Sequence, residues 1–241
     1  MRILISTPAY GGMVTTAYTE SLIQLLDALK TRPITLGYKT LAMTDIGTAR
    51  NILASLALAE NYSHILFLDA DMEFKPRTVE RLIDRGVDVA GAVYIKRAID
   101  IDKLLDAIEP ADVGRPDRLR QKLMRACGFV GAPVPNEKVV ISGGFTRFAC
   151  IGMGVTLIAT SALRKMIEKG AAKSRAPSAG VPVVYGFFDP IPDRPMGEDY
   201  SFCCRWREAC GGEVWVLADE QIGHVGQHTF VGTWLDAIME P

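Results

Sequence analysis

The amino-acid sequence predicts the α/β class, with a mostly parallel central sheet flanked by helices and a small β-hairpin region. Three observations predict it. Strand-like and helix-like segments alternate over the first 95 residues, as they do in parallel sheets with crossover helices. Residues 64–68 are apolar at consecutive positions, which is typical of a strand buried on both faces. The 241 residues are 49% apolar, enough for a large core without disulfides or structural metals.

The first half is predicted to alternate strand and helix from its start. The strands are predicted at residues 3–6, 35–40, 64–68 and 87–94. The first helix carries leucines at the i, i+3, i+4 and i+7 positions of one face, namely Leu22, Leu25, Leu26 and Leu29. The second helix is predicted from residue 48 to about residue 61. Pro76 suits the first turn of the third helix, and Gly86 suits the position after its last residue, Arg85.

The second half opens with a charged segment, residues 96–137, that has no sustained apolar period. We expect either helices around residues 104–108 and 119–124 or a loop. The β-hairpin is predicted to join residues 139–141 and 145–151 across a Ser-Gly-Gly turn. Helices follow at residues 161–169 and 198–210, the second with Phe202, Trp206 and Ala209 on one face. Strands are predicted at residues 183–188 and 213–217, and an exposed loop at residues 171–180.

Charge and composition exclude several classes of protein. Lysine and arginine number 27 against 28 aspartates and glutamates, a net charge of −1, which argues against a nucleic-acid binder. No apolar run reaches the ~18–20 residues of a membrane span, and the first residues lack the pattern of a secretory signal. We therefore expect a soluble cytoplasmic protein. The five cysteines contain no Cys-x-x-Cys pair and are predicted to be buried, reduced thiols.

Two carboxylates follow the buried strand directly, in the motif Asp69-Ala70-Asp71. Ligands of open α/β sheets bind at the carboxyl ends of the strands. Mg²⁺ and Mn²⁺ prefer oxygen ligands and are commonly held by one or two carboxylates together with substrate phosphates. The motif is therefore a candidate metal site. The alternative is that one aspartate caps the turn and the other is solvated.

Two further candidates lie late in the chain. Glu198 and Asp199 open a predicted helix, where acidic residues favour the helix dipole or where one of them serves as a general base. His224 stands between glycines after a strand. It is either a metal ligand through a neutral ring nitrogen or a loop histidine bonded to backbone.

The remaining candidates come from the loop after the first strand, the second helix and a glycine segment. Tyr10 could stack on a nucleobase or pack within its loop. Arg50 could reach a phosphate or form a surface ion pair. The glycine segment lets backbone approach a ligand or simply makes a tight turn, and its residues are Gly152, Met153 and Gly154.

Taken in order, these motifs resemble those of the GT-A-type glycosyltransferases that use nucleotide diphosphate sugars. The matching segments are TPAY (7–10), ARN (49–51), ILFLDADMEFKP (65–76), CIGMGVTLI (150–158), GEDYSFCCRWREACGG (197–212) and IGH (222–224). That family has an Asp-x-Asp metal motif, a glycine loop, an x-Glu-Asp motif and a late metal-binding histidine. The resemblance covers most of the chain except residues 96–137. It implies a single GT-A-like domain with a nucleotide-binding half (1–95), a variable insertion (96–137) and an acceptor-side half (138–241).

The resemblance also implies a role for each candidate residue. Asp69, Asp71 and His224 would hold Mn²⁺ or Mg²⁺ on the donor's diphosphate, with Asp69 alternatively on the ribose. Asp199 would be the base of an inverting enzyme; in a retaining one, Glu198 or Asp199 would bind hydroxyls of the acceptor or sugar. The nucleotide sugar would be bound by Thr7, Pro8, Ala9, Tyr10, Arg50, Asp69, Ala70, Asp71, Gly152, Met153 and Gly154.

The implied partners are a nucleotide diphosphate sugar donor and a glycan or glycolipid acceptor, without nucleic acid or a transmembrane segment and with room for peripheral membrane contact. Two alternatives remain. A nucleotidyltransferase would also use paired carboxylates and a cation, but its basic loop after the first strand is absent from residues 7–12. A binding module without catalysis would not need Asp69, Asp71, Asp199 and His224 together.

Overall fold

A computed structural model of the protein describes residues 1–226. Its strands are β1 (Arg2–Pro8), β2 (Thr35–Leu41), β3 (His64–Leu68), β4 (Met72–Glu73), β5 (Val89–Ala92), β6 (Tyr94–Ile95), β7 (Phe129–Pro133), β8 (Phe145–Ile151), β9 (Val155–Ala159), β10 (Ser174–Arg175), β11 (Val184–Tyr185), β12 (Val214–Leu217) and β13 (Gly223–His224). Its helices are α1 (Thr16–Leu29), α2 (Ile46–Ala59), α3 (Pro76–Arg85), α4 (Ile101–Ala107), α5 (Pro116–Cys127), α6 (Thr160–Glu168) and α7 (Glu198–Cys210).

The protein is an α/β fold built on a nine-stranded sheet in the order β2-β1-β3-β9-β5-β12-β8-β7-β6. The prediction of a mostly parallel sheet is wrong, because the sheet is mixed. Among residues 1–226, only β1 with β2, β1 with β3, and β5 with β12 pair in parallel. Strand β9 lies between β3 and β5 and is antiparallel to both. The pairs from β12 to β6 are also antiparallel.

Strand β3 divides two hydrophobic cores. Ile65 and Phe67 point to the side covered by α2, α6 and α7, whereas Leu66 and Leu68 point to the side covered by α1 and α3. All four side chains are fully buried, as expected for a strand enclosed by helices on both faces. The core therefore fixes the end of β3, and with it the turn that carries the two aspartates.

Several helix boundaries follow from their terminal residues. Thr15 and Asp45 cap α1 and α2 by accepting backbone N–H groups. Helix α3 begins at Pro76 and ends where Gly86 takes a left-handed conformation with φ of 64°. Helix α7 has the predicted bounds, but Ala209 is exposed. Its buried face instead carries Phe202, Cys203, Trp206 and Cys210.

The predicted hairpin has a different first strand. Strand β8 pairs with β12 on one side and β7 on the other, so no edge of β8 is left for residues 139–141. These three residues are exposed, and Ser142 and Phe145 close a tight turn after them. Residues 96–128 form helices α4 and α5 joined through a short 3₁₀ turn, Pro110–Asp112. The predicted strand at 183–188 shortens to β11.

Other expectations concern cysteines, membrane spans and the end of the chain. All five cysteines are free thiols; three are buried, and Cys127 and Cys204 are partly buried. None of the helices within residues 1–226 combines the length and apolarity needed to cross a bilayer. Residues 227–241 of the predicted acceptor-side half lie outside the described part of the chain.

Candidate functional site

The candidate site is a cavity of about 980 Å³ where strands β1 and β3 end. Residues from distant parts of the sequence line it. Those predicted as site residues are Pro8, Tyr10, Arg50, Asp69, Ala70, Asp71, Glu198, Asp199 and His224. A smaller cavity of about 300 Å³, lined by Arg85, Phe145 and Trp215 among others, contains none of the predicted residues. The structure thus brings the Asp-x-Asp, x-Glu-Asp and histidine motifs together.

The other predicted residues lie behind the cavity wall. Thr7 and Ala9 are buried, and the Thr7 hydroxyl forms a short hydrogen bond with the Tyr18 hydroxyl. Gly152, Met153 and Gly154 are also buried and do not line the cavity. These residues therefore support the site from behind.

Arg50 anchors one wall and lines the cavity; its contact with a phosphate stays a prediction, whereas the alternative of a surface ion pair is wrong. Its side chain is only 2% exposed, so it is not a surface ion pair. Nη2 donates to both carboxylate oxygens of Asp69 at 2.8 and 2.9 Å, and Nη1 donates to Glu198 Oε1. Burial opposes the charge of Arg50, but Asp69 and Glu198 outweigh it and raise its pKa. We call Arg50, Asp69 and Glu198 the buried triad.

The opposite wall joins Asp71, Arg97 and His224, which we call the open triad. Asp71 Oδ2 accepts a hydrogen bond from Arg97 Nη1 at 2.7 Å and lies 3.6 Å from His224 Nε2. Burial opposes ionisation of Asp71, but His224 and Arg97 outweigh it, so the pKa of this carboxyl lies below its usual value. The Arg97 side chain is 50% exposed.

The backbone orients the histidine of the open triad. His224 belongs to β13, which pairs with β4 just after the Asp-x-Asp turn. Its Nδ1 lies 2.8 Å from the Ile95 carbonyl oxygen, which can only accept a hydrogen bond. In the neutral ring Nδ1 therefore carries the proton and Nε2 is the nitrogen that can bind a cation, whereas in the charged ring Nε2 also carries a proton, and this is the form that lowers the pKa of Asp71.

Asp199 lies in the first turn of α7, between the two walls. Its Oδ1 accepts the backbone N–H of Tyr200 at 2.7 Å, which leaves Oδ2 open to a ligand. Burial, followed by the negative charge of Glu198, raises the pKa of Asp199 to about 6. A carboxylate with this pKa is ionised at neutral pH and still accepts a proton readily.

Tyr94 links the glycine segment to both walls. Its hydroxyl lies 3.3 Å from the Gly154 backbone nitrogen, and its ring packs edge-on against His224. A Cβ atom at Gly152 would lie 2.2 Å from the Tyr94 hydroxyl oxygen, so no larger residue fits there. Gly154 also accepts the backbone N–H of Asp69 at 2.9 Å. The glycines therefore allow Tyr94 to pack beneath the aspartate turn.

The residues fit a divalent cation only in part. Asp71 and His224 Nε2 converge, and two protein ligands suffice where substrate phosphates supply others. Asp69 does not fit as a ligand in this arrangement, since both of its oxygens bind Arg50. Within residues 1–226, no group of three or more histidine, cysteine, aspartate or glutamate side chains is arranged to hold a metal.

Sequence reasoning missed Tyr94 and Arg97, which line the cavity beside the predicted residues. A signal for them existed, because both follow the end of β5, and ligands bind at the ends of such strands. It also missed four apolar residues that line the same cavity, namely Met13, Val14, Met43 and Ile46.

Comparisons with known proteins do not supply an identity. No protein-family model matches the chain, and no curated protein matches it. The crystal structure of A197 from STIV is similar over 94% of this chain and 87% of that chain, at 18% sequence identity and a TM-score of 0.48. Similarity at this level identifies neither a family nor an activity.

Proposed function

We propose that the protein is a metal-dependent glycosyltransferase of the GT-A type, which moves a sugar from a nucleotide diphosphate sugar to an acceptor hydroxyl. One observation carries the proposal. Three acidic or histidine motifs, separated by up to 155 positions between Asp69 and His224, meet in one cavity at the strand ends. The cavity combines carboxylates, a histidine nitrogen, arginines and an exposed tyrosine, the groups that a cation, a diphosphate and a nucleobase require.

The open triad is the proposed diphosphate and cation site. Asp71 and His224 would hold Mn²⁺ or Mg²⁺, with Arg97 beside them as a donor to phosphate oxygens. When bound, the cation supplies electrostatic stabilisation of the charge that develops on the departing nucleoside diphosphate. The exposed ring of Tyr10 would stack on the nucleobase.

Asp199 is the proposed general base. The acceptor oxygen attacks the anomeric carbon as the bond to the diphosphate breaks, and the acceptor's proton passes to Asp199 Oδ2. This assignment makes the enzyme an inverting one. Glu198 accepts a hydrogen bond from Arg50. Its proposed role is therefore to hold the buried triad in place rather than to accept the proton. The acceptor would be a hydroxyl of a glycan or glycolipid.

A thermal-shift panel of UDP, GDP, CDP, ADP and dTDP, each with and without Mn²⁺, tests the donor site. A ligand that binds only the folded state raises stability by about 2.7 kcal/mol at a hundredfold excess over Kd. We expect one diphosphate to raise the Tm, and only with Mn²⁺. No shift with any member of the panel would contradict the proposal.

The released product tests the reaction. With the sugar nucleotide of the base that binds, we expect nucleoside diphosphate to appear as the sugar is transferred or hydrolysed. Release of pyrophosphate from a nucleoside triphosphate and a sugar phosphate would instead identify a nucleotidyltransferase. Metal-dependent binding without turnover of any donor would identify a binding module.

A further inference from the structure

The helical insertion, residues 96–128, stands apart from the core. Its neck is the short antiparallel pair of β6 with β7. Helix α4 packs mainly on α5, and α5 packs on α4 and on the 3₁₀ turn, with little contact to the sheet. Within these residues, all of which the structure describes, no side chain belongs to the hydrophobic clusters of the core. The insertion therefore leaves most of its surface exposed.

That surface is unusually apolar for an exposed segment. Ile101 and Leu105 lie four residues apart in α4 and therefore on one helical face, and Ile108 follows directly after the last residue of the helix, where the backbone is extended. These three side chains are 55%, 62% and 40% exposed, and they form an apolar stripe that no described part of the chain covers. The connection and α5 add the exposed side chains of Val113, Leu123 and Met124. Exposed apolar patches of this kind mark surfaces that bind a protein or a membrane.

Helix α5 adds positive charge beside the stripe. Between Pro116 and Cys127 it has four basic residues and one acidic residue, whereas the whole chain has a net charge of −1. Lys122 pairs with the buried Asp112. Within residues 1–226, Arg115, Arg120 and Arg125 form no ion pair with a carboxylate. The carboxylates of α4, Asp102 and Asp106, lie about 100° or more around the helix from Ile101.

The insertion also adjoins the mouth of the cavity. Tyr94 and Val130, which pair with each other across the neck, both line the cavity, as does Arg97 at the start of the insertion. A surface that docks on the insertion therefore lies next to the cavity entrance.

We propose that the helical insertion docks on a membrane surface that contains anionic lipids, with the α4 stripe in the headgroup region and the α5 arginines on lipid phosphates. A mixture of apolar and basic side chains on short helices suits that interface, where buried apolar area and attraction to anionic lipids add together. A protein partner would bury the same apolar stripe without requiring the arginines. The proposal does not depend on the transferase activity, since docking needs neither donor nor metal.

Co-sedimentation of the full chain with lipid vesicles tests it, without nucleotide or Mn²⁺. Phosphatidylcholine vesicles are compared with vesicles that also contain phosphatidylglycerol, each at low and high salt. We expect sedimentation with the anionic vesicles that weakens at high salt. No sedimentation with anionic vesicles, or equal sedimentation with both kinds, would overturn the proposal.

Two double variants separate the apolar and basic contributions, and each has a matched control. Leu105→Glu with Ile108→Glu and, separately, Arg120→Glu with Arg125→Glu should each lower vesicle binding at least about tenfold. Ile23→Glu on α1, where Ile23 is 61% exposed, and Lys169→Glu, where Lys169 is exposed, should bind as the unaltered chain does.

Circular dichroism checks that each variant is folded and melts cooperatively. If the apolar double variant does not melt cooperatively, the vesicle binding of the arginine double variant alone decides the test. Light scattering measures the mass of each variant. Wild-type vesicle binding by both double variants would overturn the proposal. A dimer that the apolar variant converts to monomer, with unchanged vesicle binding, would also overturn it and assign the stripe to a second copy of the chain.

Discussion

The two walls of the cavity use the same chemistry in opposite environments. The Arg50 side chain of the buried triad is 2% exposed, whereas the Arg97 side chain of the open triad is 50% exposed. In the first, Arg50 donates to Glu198 and to both oxygens of Asp69, so neither oxygen of Asp69 is free of the guanidinium, while the buried Nε of Arg50 has no hydrogen-bond partner within residues 1–226. In the second, Asp71, Arg97 and His224 meet at a single carboxylate oxygen, Oδ2, from which solvent or a cation can displace a partner.

The difference indicates what each wall does. A buried ion pair is costly to break, because removing one partner leaves an uncompensated charge. An ion pair with a half-exposed partner contributes little to stability and rearranges easily. The buried triad therefore fixes the positions of β3 and α7 relative to each other, while the open triad is the side on which binding changes the contacts.

Arg50→Met tests the buried triad and has the largest expected effect, a loss of stability. It leaves Asp69 and Glu198 close together without their cation, and we expect a loss of about 3–5 kcal/mol in the free energy of unfolding. Urea denaturation measures it, with Arg97→Met as the control that should cost less than about 1 kcal/mol. Equal losses in the two variants would remove the distinction between the walls.

Asp199→Asn tests the base between the walls. We expect turnover to fall by about 10²–10⁴ with donor affinity retained, measured by product release and calorimetry. In the unaltered enzyme, the pKa of about 6 for Asp199 means that the base is protonated, and therefore inactive, below that pH. Accordingly kcat/KM should rise as the pH increases through about 6. A comparable loss of donor binding in the variant would contradict the base role.

The paired variants Asp71→Asn and Asp69→Asn distinguish the two aspartates. Asp71→Asn should abolish Mn²⁺-dependent binding of the nucleoside diphosphate while changing stability by less than about 1 kcal/mol. Asp69→Asn should cost about 1–3 kcal/mol, because it weakens the pairing of a buried arginine. Calorimetry and urea denaturation of both variants measure the contrast. The reverse pattern would assign the cation to Asp69.

Arg97→Gln has the smallest expected effect. Its guanidinium occupies the oxygen of Asp71 that a cation would use, so its removal should strengthen binding of Mn²⁺ alone by about threefold to tenfold, or about 1 kcal/mol. Titration calorimetry with Mn²⁺ and no nucleotide measures this. Arg77→Gln, which removes an exposed arginine on α3, is the charge-matched control. Weaker Mn²⁺ binding in Arg97→Gln would show that Arg97 supports the cation rather than competing with it.

Sequence patterns predicted those features that local chemistry determines. The bounds of α3 follow from Pro76 and Gly86, and the burial of β3 follows from its continuous apolar run. Asp71, Asp199 and His224 could be selected because strand ends and helix starts are recognisable one at a time. That the three residues line one cavity comes from the structure, and their roles stay predictions.

Features that depend on pairing between distant segments could not be predicted. Strand β9 is fully buried, and its apolar run would look the same in either direction, so its antiparallel placement leaves no local signal. Residues 139–141 were predicted to pair with β8 because they are apolar. They do not, because β12 and β7 occupy both edges of that strand. The burial of Arg50 likewise depends on Glu198, 148 positions away.

The close packing of Tyr94 on the glycine segment has a consequence for sequence variation. A methyl group at position 152 would overlap the tyrosine hydroxyl and also approach Val130 within 2.7 Å. In a set of related sequences, positions 94 and 152 are therefore expected to covary. Alanine at 152 should occur only with a shorter side chain at 94 and a smaller one at 130, because a Cβ atom at 152 would lie too close to both Tyr94 and Val130.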